Sequence, residues 1–205
     1  MANVNGGMLL VLSSPSGGGK STLGQKTIAR LDNLRYSVSY TTRSPRAGEQ
    51  DGTAYNFISF ERFSLLIDEG FFLEWERVHG NFYGTGKKNI QEILASGHDV
   101  LLDIDVKGAQ QVRKQLPGQV VTVFVLPPSM VVLESRLRSR ATDDEEVIAG
   151  RLKNAVEEIG HCQSYDYLVV NDDLDAAVAR LASIIIAERC RMSRQQAFLK
   201  RSGYV

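Results

Sequence analysis

The stretch SSPSGGGKST, residues 13–22, follows at once on the apolar run 8–12 and leads into a segment with helical spacing, 19–32. A loop that leaves a buried strand and enters a helix presents several backbone N–H groups to one point, beside the positive end of the helix dipole. An anion can sit there. Gly17, Gly18 and Gly19 let the backbone approach a phosphate and adopt positive φ, Lys20 can reach the outer phosphates, and the Ser21 hydroxyl is placed to ligate magnesium. Ser14 departs from this pattern, which usually opens on glycine. A serine fits there if its φ is negative, and Pro15 favours an extended conformation at 14. The loop therefore reads as intact and as a site for a nucleoside triphosphate. The alternative is an ordinary glycine-rich turn between strand and helix.

Outward from this loop, short runs rich in Val, Leu and Ile recur at 99–105, 119–126 and 167–170 with almost no polar alternation. That is the pattern of strands buried on both faces of a parallel sheet, and it predicts an α/β layered core. Helical patterns lie between them. Ser59 reads as the N-cap of a helix that Gly70 closes, helix 86–96 ends before Gly97, and another begins near Ser129 after Pro127 and Pro128. Thr142 and Glu145 have capping-box spacing for a helix running to about Ile159, and one long final helix is predicted over 174–198, burying Leu181, Ile184, Ile185 and Phe198. Residues 35–85 differ: they hold most of the aromatics and short alternating runs such as 36–40, and read as a small mixed β segment inserted in the core.

A chain of 205 residues with 43% apolar content can bury a core of its own. Basic and acidic residues balance at 24 each, so no overall field favours nucleic acid or an anionic membrane, and any anion must be bound locally. The first apolar run is too short for a membrane span and lacks the flanks of a signal peptide, which leads us to expect a cytoplasmic protein. Cys162 and Cys190 have neither disulfide-framework nor metal-ligand spacing and read as free thiols.

In the segment 37–57, SVSYTTRSPRAGEQDGTAYNF, Arg43 and Arg46 lie three apart across Pro45. Two guanidinium forks beside Ser39 and the Tyr55 hydroxyl make a second phosphate site; the same residues equally describe a solvated basic turn. Taken with the loop 15–22, with FLEWERVHGNFYGT at 72–85, LLDID at 101–105, RLRSRATDDEEVIAGRL at 136–152 and VVNDDL at 169–174, this segment resembles the guanylate kinase family. The likeness covers about residues 8–190 in order. It departs at Ser14 and at Ala141, where family members commonly have glycine after a lid arginine.

The resemblance implies a P-loop nucleoside monophosphate kinase fold in one domain, with a core over about 1–34, 87–128 and 161–205, a GMP-binding segment over 35–86 and a helical lid over 129–160. It implies ATP on Ser14, Pro15, Ser16, Gly17, Gly18, Gly19, Lys20, Ser21 and Thr22, with Asn171 near the adenine. Ser39, Arg43, Arg46, Tyr55 and Tyr83 would hold the GMP phosphate, while Glu74, Thr85 and Asp105 would read the guanine. A carboxylate at Glu74 can accept from the ring N–H and the exocyclic amino group of guanine; adenine offers a lone pair at that ring position and leaves a buried charge unpaired. Asp103 would lie near the magnesium and the phosphates, a helix cap being its competing role. Arg136, Arg140 and Arg151 would be lid arginines, although by spacing alone the first two read as surface charges paired with Glu134 or Asp144. Asn171 and Asp172 also suit a plain turn.

The expected reaction is transfer of the γ-phosphoryl group of ATP to GMP, and to its deoxy form, with Mg2+ as cofactor and no general base. A phosphate monoester ionises a second time near pH ~6 and arrives as a dianion, so His79, His98 and His161 need no catalytic role. Neither nucleic acid nor membrane is an expected partner; an oligomer is left open. Two rivals share parts of the pattern. A ribose bisphosphate kinase would have no use for Glu74, Thr85 and Asp105 together, and a phosphopeptide-binding scaffold domain would have no use for Gly19, Lys20 and Ser21.

Overall fold

The computed structural model describes residues 7–78, 80–139 and 145–204. Along the chain the elements are β1 (Leu9–Ser13), α1 (Lys20–Arg30), β2 (Leu34–Tyr36), β3 (Tyr40–Thr41), β4 (Asn56–Phe57), α2 (Phe60–Asp68), β5 (Phe72–Val78), β6 (Asn81–Gly86) and α3 (Lys87–Ala95). They continue with β7 (Asp99–Asp103), α4 (Val106–Gln115), β8 (Val120–Leu126), α5 (Met130–Arg138), α6 (Glu145–Gly160), a 3-10 turn (Cys162–Ser164), β9 (Tyr167–Val170), α7 (Leu174–Arg189) and α8 (Met192–Arg201).

Five strands form a parallel sheet in the order β2-β7-β1-β8-β9. Alternate residues of β1 serve opposite faces. Leu10 and Leu12 meet Leu23, Ala177, Leu181 and Ile185 from α1 and α7, while Leu9 and Val11 share a cluster with Ile90, Ala109 and Val112 from α3 and α4. Each such fully buried Leu or Val side chain contributes about 1.5–3 kcal/mol, which is why these strands carry no polar alternation. A second sheet of mixed direction, β4-β3-β6-β5, is backed by α2, whose Phe63 and Leu66 pack with Phe72 of β5. Ser59 and Ser129 cap their helices as expected, each hydroxyl accepting a backbone N–H three residues on, and Gly70 and Gly97 take the positive φ that ends α2 and α3.

The structure corrects some local expectations. The alternating run 36–40 is not one strand: Leu34–Tyr36 joins the parallel sheet beside β7, and Tyr40–Thr41 starts the small one. The strand expected over 99–105 ends at Asp103, because Asp105 caps α4 by accepting from Gly108 N at 2.7 Å. The final helix is two helices. Arg191 turns extended, at φ −57 and ψ 135, and the Gln195 amide donates to the Arg189 carbonyl across the break. Neither Gly nor Pro marks that corner, and Phe198, beyond it, is exposed rather than buried. The Thr142 cap, Ala141, Arg140 and His79 lie outside the described residues.

Candidate active site

Ser13 ends β1 and Lys20 starts α1, so the loop between them faces the C-terminal edge of the parallel sheet, where open α/β sheets bind ligands. Gly17 and Gly19 adopt φ 87 and 86. Gly18 does not, which corrects the expectation for that residue; its absent side chain serves contact, because a Cβ there would lie 2.9 Å from Ser14 Cβ. Asn33 is the sole non-glycine with positive φ among the described residues, so Ser14 satisfies the condition set for it. The loop lines a cavity of about 280 Å³ together with Asp105 and Glu158.

Lys20 pairs with the Asp103 carboxylate, and its Nζ also donates to the Ile104 carbonyl at 2.9 Å. The role of helix cap that competed for Asp103 falls to Asp105 instead. Ser21 is exposed at the mouth of the loop. Glu158, which sequence reasoning missed, reaches the loop from α6. Burial pushes its carboxyl above the ordinary range, and the Ser16 N–H works against that rise. Its helical spacing from Arg151 was the available signal.

A larger cavity, about 720 Å³, opens between the small sheet and α6. Its walls bring together Arg43, Arg46, Tyr55 and Tyr83 with Asp105 and Arg151. Arg43 lies over the Tyr55 ring, 5.4 Å from its centroid, and donates to Glu49 at 2.9 Å; the Arg46 N–H donates to the other oxygen of Glu49 at 2.8 Å. Glu49 was also missed. Its carboxylate, held below the ordinary range by Arg43 first and the Arg46 N–H next, rests against the arginine expected to meet a phosphate. Burial, and then the charge of Asp103, raise the Tyr55 and Tyr36 phenols above their usual range.

Three expected base-reading residues meet at the start of α4. Glu74 and Thr85 stand opposite each other across β5 and β6, and the Thr85 hydroxyl donates to Glu74 Oε1. Glu74 is 5% exposed, and a Cβ on Gly108 would lie 2.8 Å from its Oε2, so a side chain at 108 would displace the carboxylate. Burial pushes the Glu74 carboxyl up to about 7; Asp105 adds to the rise, while Thr85 and Lys20 oppose it. Ser39, Glu74 and Thr85 are not among the residues that line the larger cavity.

The expected lid and adenine residues divide. Arg136 donates to the Asn171 carbonyl at 3.0 Å, and the buried Asn171 amide donates to the Gly18 carbonyl at 3.0 Å. Asn171 therefore braces the phosphate loop. Asp172 pairs with Arg180, which holds its carboxyl down to about 2.

A glycine loop between a parallel strand and a helix, joined to a second arginine-walled cavity on an inserted sheet, defines a P-loop phosphotransferase. The family model for guanylate kinase matches residues 7–188, and the chain belongs to the guanylate kinase family. It is 52% identical over 188 residues to a guanylate kinase of Carboxydothermus hydrogenoformans, with 92% of each chain covered. It is 50% identical over 192 residues to that of Salmonella paratyphi A, covering 93% of this chain and 92% of the other. The crystal structure of guanylate kinase from Anaplasma phagocytophilum superposes with a TM-score of 0.78 at 36% identity, covering 98% of this chain and 97% of that one. No helix among the described residues is long and apolar enough to cross a membrane.

Proposed function

We propose the following division of labour for the family's reaction, transfer of the γ-phosphoryl group of ATP to GMP to give ADP and GDP. One observation carries it: the two cavities share Ser16, Lys20, Asp105 and Glu158, so a triphosphate in one and a monophosphate in the other would meet at Lys20. The loop 14–22 holds the ATP phosphates through its backbone N–H groups and Lys20. Arg43, Arg46, Tyr55 and Tyr83, with Ser39, hold the phosphate of GMP, and Glu74, Thr85 and Asp105 read its base.

The attacking oxygen belongs to a dianion and needs no base. What the protein supplies is alignment and positive charge against the repulsion of two polyanions. Lys20 lines both cavities and Arg43 and Arg151 line the larger one, and the lid arginine Arg136, with Arg140 as the family likeness implies, would add positive charge. The Ser21 hydroxyl and the Asp103 carboxylate would hold magnesium. Among the described residues no three His, Cys, Asp or Glu side chains form a metal cage, and magnesium needs none: one or two protein oxygens, phosphates and waters complete its shell. When bound, the ion offsets charge on the phosphates of ATP. Helix α6 lines the larger cavity with Arg151 and Glu158, and its closure over both nucleotides would exclude water that would hydrolyse ATP.

The test is ADP formation by the purified protein with Mg-ATP and, separately, GMP, AMP, UMP, CMP and ribose 1,5-bisphosphate. Turnover with GMP alone supports both anion sites and the base-reading set. Turnover of the ribose bisphosphate would retain the ATP loop and discard Glu74, Thr85 and Asp105 as base readers.

A further inference from the structure

Strand β5 lies at the open edge of the small sheet, so its outward backbone groups lack a strand to pair with. Helix α4 supplies partners from side chains. Gln111 Nε2 donates to the Trp75 carbonyl at 2.9 Å, and Gln111 Oε1 accepts from the Trp75 N–H at 3.2 Å, as a neighbouring strand would. One turn further on, Gln115 Nε2 donates to the Leu73 carbonyl at 2.6 Å. The two glutamines share a helix face and grip the residues on either side of Glu74.

The strand is irregular at this same point. Phe72 pairs with Gly86 and Glu74 with Thr85, which leaves Leu73 as an extra residue. In a regular strand Phe72 and Glu74 would share a face. The bulge puts them on opposite faces: Phe72 enters the cluster of Phe63 and Leu66, while Glu74 turns to Thr85 and the first turn of α4. Gln115 holds the carbonyl of the extra residue. Because Asp105 caps the same helix, α4 fixes both expected base-reading carboxylates, one through its cap and the other through its glutamines.

We propose that Gln111 and Gln115 are positioning residues for guanine selection, holding the bulge that aims Glu74. This rests on the reading of Glu74 as the base-reading carboxylate. Release of either clasp lets the carboxylate drift by a fraction of an ångström, and a 1 Å misplacement costs about 10²-fold in a well-aligned site, so about tenfold is expected here.

The experiment measures steady-state phosphorylation of GMP and of IMP, which lacks the exocyclic amino group, with KM for ATP and the melting temperature. The proteins are wild type, Glu74→Gln, Gln111→Met, Gln115→Met and the pair Glu74→Gln with Gln115→Met. Methionine keeps the length and removes the amide, and Gln115 is exposed while Gln111 is half-buried, so each tests the clasp at a tolerant position. Expected is a rise in KM for GMP and an about tenfold fall in the GMP-over-IMP ratio of kcat/KM for each methionine variant. KM for ATP should hold, and Gln115→Met should add no further loss of the ratio once Glu74 is Gln. A merely structural role would lower stability and leave the ratio alone. A ratio unchanged in both methionine variants but collapsed in Glu74→Gln overturns the positioning role. A ratio unchanged in Glu74→Gln removes the reading of Glu74, a different failure that takes the proposal with it.

Discussion

Replacing Gly18 by alanine probes the phosphate loop where it has least room. The Gly18 backbone is outside the left-handed region that Gly17 and Gly19 occupy, so conformation alone tolerates a side chain. Space does not. A Cβ at 18 would lie 2.9 Å from Ser14 Cβ, 3.0 Å from Ser14 Oγ and 3.1 Å from the Pro15 oxygen. Ser14 is 7% exposed and its hydroxyl donates to that same Pro15 carbonyl at 3.0 Å, so it has no easy way to yield. Overpacking of this kind costs about 1–3 kcal/mol; at about 2 kcal/mol, Tm falls by about 4–8 °C in a chain of this size. Ser14→Gly should rescue it by removing both of the nearest atoms and leaving only the 3.1 Å contact. A coupling energy of about 1–2 kcal/mol is then expected between the two positions. The assay is a double-mutant cycle read by thermal melts and by kcat/KM for ATP. Additive effects, or a stable Gly18→Ala protein that binds ATP normally, would refute the argument and with it the idea that Ser14 and Gly18 share one space.

Lys20→Ala and Arg43→Ala should each lower kcat by about 10²–10³ or more while leaving the circular dichroism spectrum intact; retention of most activity would discard their assignments. Asn171→Ala should cost about 1–3 kcal/mol, by removing a buried donor from the Gly18 carbonyl, and raise KM for ATP; melts and ATP kinetics check it. Glu74 gives two opposite pH trends. Its folded carboxyl titrates near about 7 rather than 4.5, so the folded state holds a proton the unfolded chain has lost, and stability falls as pH rises across that window. The loss approaches about 3 kcal/mol above pH ~7. Guanine recognition needs the ionised form, so KM for GMP should rise as pH falls through about 7. Glu74→Gln should flatten the Glu74 contribution to both curves, seen in denaturation and steady-state kinetics from pH ~5 to ~8.5.

The features legible in the sequence are those that local chemistry decides. Four of the five parallel strands were visible as unbroken apolar runs because both faces of the sheet are covered, whereas β2 is short, polar at Arg35 and paired on one side only. Ser59, Ser129, Gly70 and Gly97 announced helix ends because a cap or a positive φ needs particular residues. The corner at Cys190 and Arg191 had no such signal: Gln195 donates to the Arg189 carbonyl across it, while Tyr167 and Asp99, distant in the chain, hold Glu188 and Arg189 just before it. Within the site, the family likeness rather than spacing pointed to the arginines and tyrosines that the larger cavity brings together. Glu49 was not legible, and Glu158 had only its helical spacing from Arg151, because an acidic residue on a loop or a helix face reads as solvated until its partner comes close.

Those missed carboxylates share a logic with the ones that were found. Lys20 holds Asp103, Arg43 holds Glu49, and Glu158 faces the Ser16 N–H of the phosphate loop. Groups expected to meet phosphate are thus already engaged by anions of the protein itself. Binding a nucleotide then exchanges one anionic partner for another, so affinity reflects the difference between phosphate and carboxylate rather than a full Coulombic gain. Such an arrangement holds the guanidinium and ammonium groups near their working positions without a large positive field, in keeping with the chain's balance of 24 basic and 24 acidic residues. It also makes Glu49→Gln informative. Losing the charge that Arg43 faces should tighten GMP if exchange dominates, and weaken it if Glu49 chiefly orients the arginine, so the sign of the change in KM decides between them.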